Sequence, residues 1–148
     1  SSFKNPNRTE EYSYTPFDFI QCVCDTTLIV AYKYMDRLEY YSIKDYRIYP
    51  LFAMGSHTNQ ADIQDYNYLM QYYLDVAPHN GFFYCLKSDD GMESGNIIEV
   101  YDVQGECRES YLLGKRISSL RFDSEGLLIG YAADTDQTVL YRFNPKGY

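Results

Sequence analysis

The sequence predicts an all-β chain built from short antiparallel hairpins. The aromatic balance is the first reason: Tyr 18 and Phe 8 with Trp 0. Tyrosine suits strands, because its ring packs on a pleated surface while its hydroxyl reaches water or a partner. The second reason is punctuation, since short β-branched and aromatic runs are separated by Asp, Asn and Gly turn signals. The third is the stretch from Ile97 to Phe143, which reads as strand, tight turn, strand, turn, strand, acidic turn, strand, strand.

The elements follow in order. Ser1 to Glu11 is a polar arm, and Tyr12 to Thr15 alternates as a short strand before Pro16. Phe19 to Cys24 and Thr27 to Tyr34 are strands about the turn Asp25-Thr26. Arg37 to Ile43 and Tyr46 to Phe52 follow, joined at Lys44-Asp45. Ala53 to Asp65 is irregular. Tyr66 to Val76 has the apolar content of a helix, but Tyr and Val press it toward strand. Pro78-His79-Asn80-Gly81 is expected to be a turn, and Phe82 to Leu86 a short buried strand. Ser88 to Asn96 is a polar loop. Ile98 to Val103, Cys107 to Leu113, Ile117 to Phe122, Leu127 to Ala133 and Thr138 to Phe143 complete the run.

Three segments align on a tyrosine that precedes an apolar residue by two positions: Leu38–Asp45, Ile98–Gly105 and Thr138–Pro145. Tyr41, Tyr101 and Tyr141 are offset by 60 and 40 residues. The turns Asp25-Thr26, Asn80-Gly81 and Glu125-Gly126 form a second series. A four-stranded β-propeller blade takes about 40–45 residues, so the chain reads as about three blades. Their bounds are approximately 17–52, 66–113 and 117–148 of a single 1–148 domain, and each aligned segment is a third strand. The last blade lacks a fourth strand, which residues 11–17 would supply. Propellers close with roughly 4–8 blades. The expectation is therefore half of a six-bladed ring, completed by a second copy in a homodimer or by the rest of a longer chain.

The motifs apolar-x-apolar-Tyr-Asp-apolar-x-Gly at Ile98–Gly105 and apolar-x-Phe-Asp-x-x-Gly at Leu120–Gly126, with Val139–Phe143, resemble the TolB-like and NHL-like six-bladed β-propellers of bacterial exported proteins and lipoproteins. The resemblance implies a ring of blades with a binding surface around a central funnel, and no particular chemistry. It also implies a periplasmic or cell-surface location, with a signal or lipid anchor removed ahead of Ser1. Residues 1–18 themselves carry no signal-peptide pattern, which leaves a cytoplasmic location open.

The charge narrows the partners. Lys+Arg 13 against Asp+Glu 21 gives −8, which argues against nucleic acid and against an anionic membrane surface. No run approaches the roughly 18 apolar residues of a membrane span. Protein, peptide or carbohydrate ligands remain. Cys22 and Cys24, spaced i, i+2 in a strand, share a face and make a poor bridge with each other. A bridge from one of them to Cys85 or Cys107 stays open, and the expectation is that all four are small buried or half-buried hydrophobes.

Candidate sites are few. His57 and His79 both fall in turns, and no Gly-x-Ser-x-Gly elbow accompanies them, so no catalytic residue is assigned. Asp89, Asp90 and Glu93 in one loop, and Asp134 and Asp136 in another, are the carboxylates a hard cation such as calcium would use, although each loop supplies only two or three of the six to eight oxygens calcium takes. Tyr66, Tyr68, Tyr72 and Tyr73 are the densest tyrosine cluster and the first choice for stacking on a sugar or peptide. The leading expectation is a non-catalytic binding or scaffold module needing no cofactor. The alternatives are a propeller-class hydrolase or lactonase with a channel metal, and a C-terminal fragment of a longer exported protein.

Overall fold

The computed structural model describes residues 18–56, 70–133 and 138–143, and these form antiparallel strands with no helix among them. β1 (Phe19–Cys24), β2 (Thr27–Tyr32), β3 (Arg37–Lys44) and β4 (Arg47–Gly55) pair in chain order as one four-stranded meander. β5 (Tyr73–His79), β6 (Phe82–Lys87), β7 (Gly95–Tyr101) and β8 (Cys107–Ile117) repeat the arrangement. β9 (Ser119–Phe122), β10 (Leu128–Ala133) and β11 (Thr138–Phe143) form a three-stranded sheet with β10 in the middle.

The second strand of each four-stranded sheet is its most apolar. In β2, Leu28 to Ala31 are all buried, as are Phe83 to Leu86 in β6. Successive side chains of a strand point to opposite faces, so a continuous buried run requires cover on both sides. The sheets provide it by stacking. Ile29, Ala31, Leu38 and Tyr40 of the first sheet form one core with Tyr73, Val76, Phe83 and Cys85 of the second. Tyr84, Leu86, Ile98 and Val100, on the other face of the second sheet, form another with Leu120 and Leu128 of the third. Contact runs through the first strands, β1 against β5 and β5 against β9. The fourth strands β4 and β8 are largely exposed edges.

Polar ties fix the stacking. Asp75 on β5 accepts from its neighbour Val76 N–H (2.9 Å) through Oδ1 and from Leu120 N–H of β9 (2.8 Å) through Oδ2. The Tyr40 hydroxyl of the first sheet donates to the Asp102 carbonyl of the second at 2.9 Å. Close by, Gly105 has φ +87, and a Cβ there would fall 2.6 Å from the Phe52 ring. The turns reuse one device: Asp102 Oδ1 accepts from Gln104 and Glu106 N–H, and Asp123 Oδ1 accepts from Glu125 and Leu127 N–H. This is the side-chain mimicry of a backbone turn that favours Asp at such positions.

Several expectations are corrected. β5 runs through Pro78 and His79, so the turn is Asn80-Gly81 alone. Proline is tolerated there because β5 is an edge strand of its own sheet, where no donor is needed on the open side. β4 extends to Gly55, into the stretch read as irregular, and its Pro50 likewise sits on an edge. β8 reaches Ile117, and Ser118 breaks the chain before β9. Cys22 and Cys24 do share a face toward the first core, and all four cysteines are free, with Cys107 exposed. The short strand expected near residues 11–17 lies outside the described residues.

Asp75 makes the stacking testable. Burial raises its pKa above the ordinary value, against the opposing pull of the Leu120 and Val76 N–H groups. Replacing Asp75 with alanine strands both donors and should cost about 2–3 kcal/mol in urea unfolding. A raised folded-state pKa favours the folded form at low pH, and that contribution is lost as pH rises through the folded value. The stability of the wild type relative to Asp75→Asn, whose side chain does not titrate, should therefore rise as pH falls from neutral toward the ordinary carboxylate range.

Candidate loop rim at the start of the second sheet

In a meander, alternate connections lie at opposite ends of the sheet. The β2–β3 and β6–β7 connections, the approach to β5 and the β8–β9 break share one end, which is joined by backbone hydrogen bonds. Tyr72 N–H donates to the Lys33 carbonyl (2.7 Å), Gln71 N–H to Gly91 (3.0 Å), Ser88 N–H to Tyr72 (3.1 Å) and Ser56 N–H to Asp36 (2.7 Å). These residues make one continuous rim.

Arg116 on β8 closes the β6–β7 loop. Its guanidinium pairs with Asp89 at 2.9 Å and Asp90 at 2.8 Å and donates to Ser94 Oγ at 3.0 Å. Ser88 Oγ donates to Asp90, Met92 N–H donates to both, and Asn96 Nδ2 donates to Asp89. The hydrogen bond from Arg116 depresses the Asp89 pKa, and that from Ser88 the Asp90 pKa. Both carboxylates are thus ionised and already engaged. A hard cation would have to displace the guanidinium to reach them.

A second network joins the first two sheets. Lys87 pairs with Asp36 at 3.0 Å and Glu99 at 3.6 Å, and its ammonium lies 5.0 Å from the centre of the Tyr73 ring. Tyr101 donates to Glu99 at 3.0 Å. The first sheet carries the same Glu-x-Tyr arrangement: Glu39 accepts from Tyr41 (2.7 Å), Tyr32 (2.9 Å) and Arg37 (2.8 Å). Desolvation works to raise the Glu39 pKa, but these donors outweigh it and the net shift is downward.

The sequence-selected residues fare differently. Tyr73 is only 3% exposed and belongs to the first core, so its ring is not at the surface; Tyr72 is half-buried against the same core. Tyr66, Tyr68, Asp134, Asp136 and His57 lie outside the described residues. Asp89 and Asp90 converge on Arg116, while Glu93 lies on the rim within electrostatic reach of Tyr34. Among the described residues no group of three or more His, Cys, Asp or Glu is arranged to hold a metal ion. His79 is at the other end of the sheets, stacked on Phe122 at 4.1 Å. The Cys107 pKa is raised by desolvation and by Glu99, so its thiol is not an activated nucleophile.

Sequence reasoning missed Met70 and Met92, which are 43% and 60% exposed on the rim. A Cβ at the adjacent Gly91 would touch Met70, at 2.9 Å from its Cβ. Exposed thioethers adapt to varied apolar surfaces. The one available signal was their flanking of the Tyr-rich and acidic segments. The rim therefore offers adaptable apolar contact framed by engaged charges.

Exchanging Arg116 for glutamine should speed amide exchange at Met92 and along 88–94 roughly tenfold, with β5–β7 protection unchanged, because a loop opens without the sheet. The loop's order should also be lost as pH falls below the ordinary carboxylate range, since depressed pKa values give stability present above that range.

No protein-family model matches the chain, and no curated protein matches its sequence.

Proposed function

We propose that the chain is a non-catalytic binding or scaffold module of β-propeller type, its three sheets being successive blades of a TolB-like or NHL-like six-bladed ring. The observation that carries the reading is the contact of β1 with β5 and of β5 with β9, with each of the two four-stranded sheets running from its first strand to an exposed fourth. Blades set around an axis would meet in this order, first strand against first strand. A second copy, or further blades of a longer chain, completes the ring. The loop rim bearing Met70, Met92, Lys33 and Asp36 is the ligand surface, and it takes a protein, peptide or carbohydrate. The exported location follows from the family resemblance alone.

Peptide and glycan arrays probed with the purified chain test the reading. Specific hits should disappear in a Met70→Asp, Met92→Asp double variant that keeps the wild-type melting curve. Hydrolysis of a lactone or aryl ester that copurifies with the chain and is abolished by a chelator would contradict it, favouring the hydrolase alternative.

A further inference from the structure

The β3–β4 hairpin breaks three local rules at the end of the sheets opposite the rim. Its two turn residues, Asp45 and Tyr46, both have positive φ, 52° and 61°. Such a turn is normally Asn-Gly or Asp-Gly, and a left-handed backbone is strongly disfavoured for a bulky aromatic residue. The flanking residues Lys44 and Arg47 are direct cross-strand partners. Like charges directly opposite each other destabilise a ladder, and neither forms an ion pair among the described residues. Between them Tyr46 is fully exposed at the turn, and beyond Arg47 the edge strand exposes Ile48 (59%), Tyr49 (43%) and Leu51 (52%).

The equivalent hairpin of the second sheet observes all three rules. Its turn has Gly105 at the positive φ, Asp102 caps two N–H groups, and Arg108 pairs with Asp102 at 2.7 Å. Its edge strand begins Cys-Arg-Glu-Ser, the charged edge that discourages pairing. The same position in two sheets is thus ideal in one and, in the other, strained, apolar and without an ion pair among the described residues. Local conflicts of this kind concentrate where a chain is shaped for a partner.

We propose that the Lys44–Arg47 hairpin is a docking site for an extended acidic peptide segment carrying apolar side chains. The two cations sit across one rung of the ladder, so a single carboxylate can bridge them and remove their repulsion. Tyr46 stands clear of the surface as an aromatic anchor of the kind enriched at interface centres. The open edge from Arg47 to Tyr49 takes an extended backbone, and Pro50, lacking an N–H, ends the pairing there. A narrow acidic segment meets only this local cationic pair. A planar anionic membrane would instead bring the chain's net −8 within a Debye length of about 8 Å.

A fluorescent random copolymer of glutamate and tyrosine serves as the probe, read by anisotropy with the full chain. Two variants separate docking from folding. Tyr46→Gly suits the left-handed backbone, and Lys44→Glu turns the cation pair into an ion pair with Arg47, so both should melt at or above the wild-type temperature. Each should nevertheless weaken probe binding at least tenfold, and wild-type binding should fall with added salt. Equal binding by wild type and variants would overturn the proposal. So would retention on phosphatidylserine vesicles with no affinity for the copolymer, or self-association that depends on Tyr46. Rim variants such as Met70→Asp leave this site intact, so its failure and that of the rim are distinguishable.

Discussion

Phe83 and Cys85 point to one side of β6, Tyr84 and Leu86 to the other, and all four are buried. One pair belongs to the core shared with the first sheet and the other to the core shared with the third. A sheet whose second strand is apolar on both faces cannot stand alone in water. Burying an apolar side chain contributes about 1.5–3 kcal/mol, so an uncovered face would forfeit several such contributions at once. The second sheet is therefore the keystone. A register slip of one residue would exchange its two faces and mismatch both cores.

The polar groups follow from that stack. Asp75 lies where β5 meets β9, and its two oxygens satisfy one N–H on each side. Tyr40 reaches the Asp102 carbonyl across the first core, and Lys87 ties Asp36 to Glu99 across the same boundary. These groups are costly to bury unless paired, and each finds its partner only when the sheets are in place. They select one stacking among the many that hydrophobic contact alone would allow. The loop rim inherits its shape from the same selection, because Tyr72, Lys33 and Ser88 meet only when β5 lies against the first sheet.

Much of the strand order was legible because turn chemistry is local. Asp25-Thr26, Asn80-Gly81 and Asp123–Gly126 mark where first strands give way to second strands, and Asp102–Gly105 marks the start of a fourth. What was not legible is nonlocal. Asp36 and Lys87 are 51 residues apart, and Arg116 reaches back 27 residues to Asp89. No spacing rule links such pairs. The burial of Tyr73 was missed for another reason: the run from Tyr66 to Val76 is polar only at Asn67, Gln71 and Asp75, every fourth residue, so two-residue alternation sets no phase and cannot tell a core tyrosine from a surface one. The sequence places Asp89 and Asp90 side by side but not their counter-charge, Arg116, which comes from a different strand.

Nuclear Overhauser effects between sheets test the stack most directly. If the second sheet is covered on both faces, the Phe83 ring protons must show contacts to the Tyr40 ring, and the Tyr84 ring protons must show contacts to the Phe122 ring. Contacts confined within each four-stranded meander, with none between sheets, would contradict the stacked arrangement on which the rim, the Asp75 tie and the propeller reading all depend.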